Sequence, residues 1–383
     1  MFTEQTISRF QTIETPFYYY DTNLLKKTLG IVAKKSKEYD YHVHYALKAN
    51  ANQELLQIIK SYKLGADCVS GNEVKRAIEV GFLPSNIAFA GVGKSDKEIL
   101  EALQYDIFSF NCESIPELEV INELAKSTNK IAKIALRINP NVVANTHKYI
   151  ATGAEENKFG INISELNEVI ELLKTLTNIK LTGIHFHIGS QILELDNFKN
   201  LCLRVNELQQ FFAEKQLNLE HINLGGGLGI NYQNPDNEPI ADFENYFATF
   251  HKHLQRLPNQ EIHFELGRSI IAQCGSLITK VLYVKKGTAK QFIILDAGMT
   301  ELIRPALYQA YHQPQNLTAD KNSETLLYDV VGPICESSDC FVKNMTLPST
   351  KRGDLFALRS AGAYAEVMAS NYNLREKASA IYE

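Results

Sequence analysis

Between residues 41 and 265, short runs of β-branched and aromatic residues alternate with longer segments whose apolar positions fall three and four apart. The runs are HVHYAL (42–47), GADCVS (65–70), IAFAG (87–91), IFSFN (107–111), IALRIN (134–139), GIHFHIG (183–189), HINLG (221–225) and IHFELG (262–267). The segments between them include NQELLQIIKSY, NEVKRAIEV, IPELEVINELAKS, ISELNEVIELLKT and FENYFATFHKHLQRL, all with helical spacing. Eight strand–helix steps over about 225 residues predict a closed (β/α)8 barrel of the TIM type. An open doubly wound sheet is the structural alternative.

The alternation within the strands carries chemical content. Val43, Tyr45 and Leu47 share one face of the first strand, and His44, Ala46 and Lys48 share the other. In the same way Ile134, Leu136 and Ile138 oppose Ala135 and Arg137, Ile184 and Phe186 oppose His185 and His187, and Ile262 and Phe264 oppose His263 and Glu265. A barrel strand turns its apolar face to the helix ring and its other face to the barrel axis. Lys48, Asp67, Arg137, His187 and Glu265 are therefore expected to converge on the mouth at the C-terminal strand ends, where barrel enzymes hold their chemistry.

From about residue 270 the pattern changes. CGSLITKVLYVKKG, KQFIILDAG, TLLYDVVGPICES and DLFALRSAGAYAEVM read as strands joined by turns, with no comparable helix between them. They predict a second, sandwich- or barrel-like β-domain over 269–383, beside a barrel over 22–268. Residues 1–21, with TPFYYYD, are grouped with the β-domain as a further strand.

Composition narrows the class. A chain of 383 residues with 45% apolar content supports a large domain and a smaller one. The net charge of −5 argues against a nucleic-acid footprint. No apolar run approaches the length of a membrane span, and MFTEQTISRF has polar residues where a signal peptide needs an apolar core. The six cysteines, at 68, 112, 202, 274, 335 and 340, form no CxxC pair and read as cytosolic thiols, so a cytoplasmic location is expected.

NLGGGLGI (223–230) follows the seventh strand, where barrels often bind phosphate, and Gly225, Gly226 and Gly227 allow backbone N–H groups to approach an anion. A plain tight turn is the simpler reading. The loop lacks the GxGxxG spacing of a dinucleotide fold. GVGKS (91–95) is no Walker loop, because Ala88 stands where that motif needs its first glycine. Taken alone, Lys48 is a solvated strand-end charge. Facing a glycine loop, an acid and a histidine it becomes a Schiff-base candidate, and a lysine combined with a phosphate site points to pyridoxal phosphate. Glu265 is placed to hold the proton of the cofactor's ring nitrogen, and His187 to stack on the ring. The H-x-H pairs His42/His44, His185/His187 and His251/His253 lack a third ligand at suitable spacing, so no metal is expected. Cys335, in VGPICESSDC, is a buried thiol on the simpler reading and a proton donor near a carbanion on the other.

YALKAN, HFHIGSQ, NLGGGLGI, ELGR, RPALY, GPICESSD and GAY occur in this order over roughly 15–380. Together they resemble the fold-type III pyridoxal-phosphate-dependent decarboxylases, and within these the branch acting on diaminopimelate. The resemblance implies that Lys48 carries the cofactor and that Asp67, Arg137, His187, Ser190, Gly225, Gly226, Gly227, Glu265, Gly267, Arg268 and Tyr364 bind it. It implies that Arg268, Arg304, Tyr308, Glu336 and Tyr364 hold an amino-acid substrate and that Cys335 is the proton donor. It also implies a homodimer with shared active sites, Cys335 and Glu336 coming from the neighbouring subunit, and a lid around THKYIATG (146–153). Leu266 replaces the proline usual in the family, which is expected to loosen that turn.

The expected reaction is decarboxylation of meso-2,6-diaminopimelate to L-lysine. That substrate keeps a carboxylate and an ammonium at its far end. Arg268 and Arg304 suit the carboxylate, and Glu336 suits the ammonium. Ornithine would leave the arginines unpaired, at about 3–5 kcal/mol for a broken buried pair. Related decarboxylases of carboxynorspermidine, ornithine or arginine are the alternatives. An amino-acid racemase would favour arginine on the ring nitrogen, and Glu265 speaks against it. A pyridoxal-phosphate-binding protein without enzymatic activity would lack the β-domain.

Overall fold

The computed structural model describes residues 2–142, 158–288, 290–320 and 322–383, so the expected lid segment at 146–153 lies outside the described residues. The strands in chain order are β1 (Phe17–Tyr20), β2 (Tyr41–Ala46), β3 (Gly65–Cys68), β4 (Ile87–Phe89), β5 (Ser109–Cys112), β6 (Ala132–Arg137), β7 (Ile179–His185), β8 (His221–Asn223) and β9 (Glu261–Leu266). They continue with β10 (Gly275–Lys286), β11 (Gln291–Leu295), β12 (Pro314–Asn316), β13 (Thr325–Val331), β14 (Cys340–Pro348), β15 (Leu355–Leu358) and β16 (Ser379–Tyr382). Two compact units emerge, one of residues 26–229 and 242–267, the other of 1–25, 230–241 and 268–383.

The first unit is the closed barrel. Strands β2 to β9 pair in parallel, each with the next, and β9 closes on β2. The outward faces carry the predicted apolar residues. Phe264 meets Tyr41 of β2 and Tyr246, Phe247 and Phe250 of the helix Phe243–His253, with ring centroids 4.9 to 5.7 Å apart. Tilted and edge-on pairs of this kind add about 0.5–1.5 kcal/mol each beyond area burial. Toward the N-terminal strand ends the axis is filled by stacked rings: Phe108 lies 4.7 Å from His221 and 4.6 Å from His263. Burial pushes His44 down to about 4 and His221 to about 3, so this plug is neutral.

Strand ends differ from the sequence reading where backbone leaves the ladder early. β7 runs Ile179–His185, so His187 stands in the loop that follows it. Lys48 lies in a single 3₁₀ turn, Leu47–Ala49, just past β2, and Asn52 then caps the helix Gln53–Ser61 by accepting from Glu54 N at 3.1 Å. Leu266 is the last residue of β9, fully buried and paired with Tyr45.

The second unit is one sheet in the order β12-β15-β10-β11-β13-β14, with β1 antiparallel to β10 and parallel to β16. The expected N-terminal strand is β1. The short helix Glu4–Phe10 helps cover it through Phe10, which packs with Phe17, Tyr19 and Ile278. The sequence reading runs the barrel unbroken over 22–268, whereas residues 230–241 belong to the sheet unit. They are held there by Gln273 Nε2, which donates to Glu238 O at 2.7 Å, and by Arg359, whose Nη2 meets Asp236 at 2.8 Å. Among the described residues no helix is long and apolar enough to cross a membrane.

Candidate active site

Glu265, near the C-terminal end of β9, carries three side-chain hydrogen bonds at the barrel mouth. Its Oε1 accepts from Asn111 Nδ2 at 3.0 Å and from Asn223 Nδ2 at 2.7 Å, and its Oε2 meets His185 Nε2 at 2.9 Å. Burial opposes its charge, but His185, Lys48 and His187 outweigh burial and hold the carboxyl well below the usual carboxylate range. An ionised carboxylate only accepts, so His185 donates from Nε2. A carboxylate offers about four lone-pair positions. Three are used here, leaving room for one more donor.

Lys48 Nζ donates to Asp67 Oδ2 from the neighbouring strand end. Asp67 is fully buried, and its Oδ1 has no hydrogen-bond partner. Burial, and after it the charge of Glu265, push the Asp67 carboxyl up against the pull of Lys48. His187 is pushed down to about 3, first by burial and then by Arg137 and Lys48, so its ring is neutral.

The glycine loop serves two purposes. A Cβ on Gly225 would lie 2.1 Å from Phe186 O, and one on Gly226 would lie 1.9 Å from Glu265 O. The backbone therefore passes too close to β9 and to the segment just past β7 for any side chain. Gly225 N donates to Asn223 Oδ1 at 3.0 Å, which orients the amide that holds Glu265. Gly226 N points at His187 Nδ1 from 3.5 Å. Two of the three glycine N–H groups thus face side chains of this site, a use that the spacing alone did not show. Gly267 packs against Ala46 and Ala49, where a Cβ would stand 3.1 and 3.0 Å from theirs. Ser190 is half-buried in the loop after β7.

Arg137 is committed in part to structure. Its Nη1 donates to Glu113 Oε1 at 2.9 Å, and its guanidinium lies 4.8 Å over the Phe159 ring. Glu113 also accepts from Gly91 N and Gly160 N at 2.9 and 3.1 Å. Lys94, the lysine of GVGKS, is buried against Glu117 at 2.5 Å and donates to the carbonyls of Gly91 and Asn111 at 2.9 Å. It braces the backbone beside Asn111.

In the sheet unit, two buried guanidiniums meet on one phenol. Arg268 Nη1 donates to Tyr232 Oη at 2.6 Å and Arg304 Nη1 at 3.1 Å. Burial works against ionising Tyr232, but the two arginines outweigh it and lower its hydroxyl. Arg304 also donates to His312 Nε2 at 2.6 Å, a ring fixed by its Nδ1 donating to Arg359 O at 2.9 Å. Arg268 lies 4.8 Å over the Tyr364 ring. Among the predicted substrate residues this cluster unites Arg268, Arg304 and Tyr364. Tyr308 is half-buried at the end of the short helix Arg304–Tyr308.

Cys335 and Glu336 are both exposed, on the loop between β13 and β14. Glu336 Oε1 accepts from Tyr372 Oη at 2.7 Å. The buried-thiol reading of Cys335 is overturned, because the loop carries it outward while Asp339 braces the loop from beneath. Asp339 accepts from Ile334 N and Met299 N, both at 2.7 Å. Asp339→Ala leaves two N–H groups without their acceptor and is expected to destabilise the sheet unit by about 1–3 kcal/mol for each. Denaturant unfolding measures the loss, and faster amide exchange at Ile334 and Met299 localises it.

Sequence reasoning missed Asn111, His185 and Asn223 as the holders of Glu265, and Tyr232 and His312 as the holders of the arginines. The first three were legible as axial-face polar residues at strand ends. The last two lie in irregular segments, where no periodicity marks them.

The residues of the barrel mouth fit pyridoxal phosphate: an amine in Lys48, an ionised acid with one acceptor position open in Glu265, a neutral ring in His187, and a buried Asp67 oxygen with no hydrogen-bond partner. The model of the pyridoxal-dependent decarboxylase family, pyridoxal binding domain, matches residues 26–272. The diaminopimelate decarboxylase of Bacteroides thetaiotaomicron is 57% identical over 371 residues, 97% of this chain and 96% of that one. That of Helicobacter pylori is 42% identical over 368 residues, 96% of this chain and 90% of that one. The crystal structure of the Helicobacter pylori enzyme complexed with L-lysine superposes with a TM-score of 0.92 at 40% identity, covering 98% of this chain and 93% of that one. The chain therefore belongs to the pyridoxal-dependent decarboxylase family, among the diaminopimelate decarboxylases.

Proposed function

We propose that the protein removes CO2 from one amino-acid end of meso-2,6-diaminopimelate and releases L-lysine. The observation that carries the reading is Glu265: an ionised, buried carboxylate with three donors on it and a fourth position open, beside Lys48. Pyridoxal phosphate, when bound, supplies the electron sink for loss of CO2 from the α-carbon. Lys48 Nζ holds the aldehyde, and Asp67 Oδ2 is the acceptor for the proton that the ammonium must lose before it becomes a nucleophile. Asp67, pushed up by burial, is suited to take it. Glu265 keeps its negative charge where a ring N–H needs an acceptor. His187, neutral, offers a ring face with no charge to oppose.

Arg268 and Arg304 supply the recognition of a far carboxylate. Both donate to one phenol, and each guanidinium carries five N–H donors in a fork that suits a carboxylate. Glu336 takes the far ammonium, and Cys335 Sγ returns a proton to the α-carbon. The residues Asp67, Arg137, Ser190, Gly225, Gly226, Gly227, Gly267 and Tyr364 complete the cofactor site, as the family resemblance implies. The solved relatives complexed with L-lysine support lysine as product.

The test is formation of lysine and CO2 from meso-diaminopimelate by the cofactor-loaded enzyme, against ornithine, arginine and carboxynorspermidine. Preference for any of these three over diaminopimelate sinks the substrate assignment. We propose a cytoplasmic homodimer with shared sites, to which the exposed Cys335–Glu336 loop lends support. Mixing inactive Lys48→Ala with inactive Cys335→Ala chains is then expected to restore about a quarter of wild-type activity, one intact site in each mixed dimer. No recovery after subunit exchange would mean that each chain completes its own site.

A further inference from the structure

The barrel end opposite Glu265 carries chemistry that the decarboxylation does not use. His42 on β2 and His263 on β9 are register partners across the seam where the barrel closes, and Glu261 lies two residues before His263 on the same face. The ligand atoms of His42, Glu261 and His263 lie within 4.8 Å of one another, the one such group among the described residues. A pocket of about 140 Å³ opens over His42, His44 and His263. His42 thus acquires its partners from the neighbouring strand, which spacing along β2 could not reveal.

The hydrogen bonds fix which nitrogen is bare. His44 Nδ1 stands 3.0 Å from Asn86 O, and a carbonyl only accepts, so Nδ1 carries the proton. His44 Nε2 must then accept from His263 Nδ1, 2.8 Å away. His263 therefore presents its Nε2 lone pair outward, and that lone pair faces Glu261 Oε2 at 3.1 Å. Two acceptors confront each other. The His263 ring is buried, with His42 and His44 stacked on it at 4.8 and 5.1 Å and His221 edge-on at 5.3 Å, so it cannot swing away from Glu261. A divalent ion set between the two facing acceptors satisfies both. The chain Asn86 O to His44 to His263 is the arrangement by which second-shell groups set the tautomer of a metal-binding imidazole.

We infer that His42, Glu261 and His263 form a binding site for a borderline divalent ion of the zinc class, with a fourth position open to solvent, that clamps the first and last barrel strands together. Bond lengths of about 2.0–2.2 Å place such ligands about 3.3 Å apart. His263 is fixed by its neighbours. His42 and Glu261 are exposed, and the His42 ring, now at 18° to that of His263, turns edge-on to complete the site.

The test uses the cofactor-loaded enzyme after treatment with a chelator, dialysed against Co2+ as a visible stand-in for Zn2+. About one Co2+ per chain is expected, with a d–d band of nitrogen and oxygen ligation. His42→Ala and Glu261→Gln, both at exposed positions, are each expected to weaken binding about 10–100-fold and to leave decarboxylation unchanged. Added Zn2+ is expected to raise the Tm of the wild type and not of either variant. No bound Co2+ at about 1 mM, equal binding by both variants, or a thiolate charge-transfer band in place of the expected spectrum would overturn the inference.

Discussion

Replacing Lys48 by alanine is expected to lower kcat by about four orders of magnitude or more, the scale seen when a nucleophile is removed, while the fold survives. Lys48 stands in a 3₁₀ turn past β2 with its side chain about a third exposed, so little packing is lost. What changes is the environment of Asp67, which loses its cation in a fully buried position. Its carboxyl is already pushed up by burial and by Glu265, so without Lys48 it takes a proton and the buried charge disappears. Lys48→Arg separates the two roles. A guanidinium restores the ion pair and the stability but cannot form the bond that holds an aldehyde. Borohydride reduction followed by peptide mass analysis is the direct readout: the wild-type peptide containing Lys48 gains the mass of the cofactor, and neither variant's does. Retention of more than a tenth of the activity in Lys48→Ala would remove the lysine from the chemistry.

The barrel was legible because its cause is local. Period-2 runs such as IHFELG place Phe264 against the helices and Glu265 on the axis whatever lies elsewhere in the chain. The ends of strands were less legible, because a ladder stops where its neighbour stops. β7 yields to a loop after His185 although HFHIG continues the alternation. The site was legible in its charged residues and obscure in its neutral ones. Asn111 and Asn223 look like ordinary polar residues until β9 brings Glu265 between them. Lys94 shows the reverse. In sequence it imitates a phosphate loop, and in the fold it is a buried brace on Glu117. Tyr232 lies in an excursion of the chain between barrel elements and His312 far beyond it, so only the folded sheet unit brings both to Arg304.

The second large effect is expected at Glu265, where glutamine is expected to cut kcat by about 10²–10³ without unfolding the barrel. The fold survives because the site can re-pair. The new amide oxygen faces Asn111 Nδ2 and Asn223 Nδ2, which still need an acceptor, and its NH2 group faces His185 Nε2. His185 Nδ1 is unpaired already, so moving the proton there trades one unpaired lone pair for one unpaired N–H, and Nε2 becomes an acceptor. Alanine offers no such exchange and strands three buried donors, at about 1–3 kcal/mol each. Glu265→Gln should therefore unfold near the wild-type denaturant midpoint and Glu265→Ala well below it. The carboxyl is held below the usual range, so any stability that its charge contributes is present above about pH 4.3 and fades only as acid reaches the depressed value. Its titration accordingly adds no limb to the wild-type rate profile at neutral pH, and the two enzymes should differ in the height of that profile rather than in a shifted midpoint. A glutamine variant within threefold of wild-type kcat would show that the negative charge, as opposed to the hydrogen-bonding shape of residue 265, is not what the reaction uses.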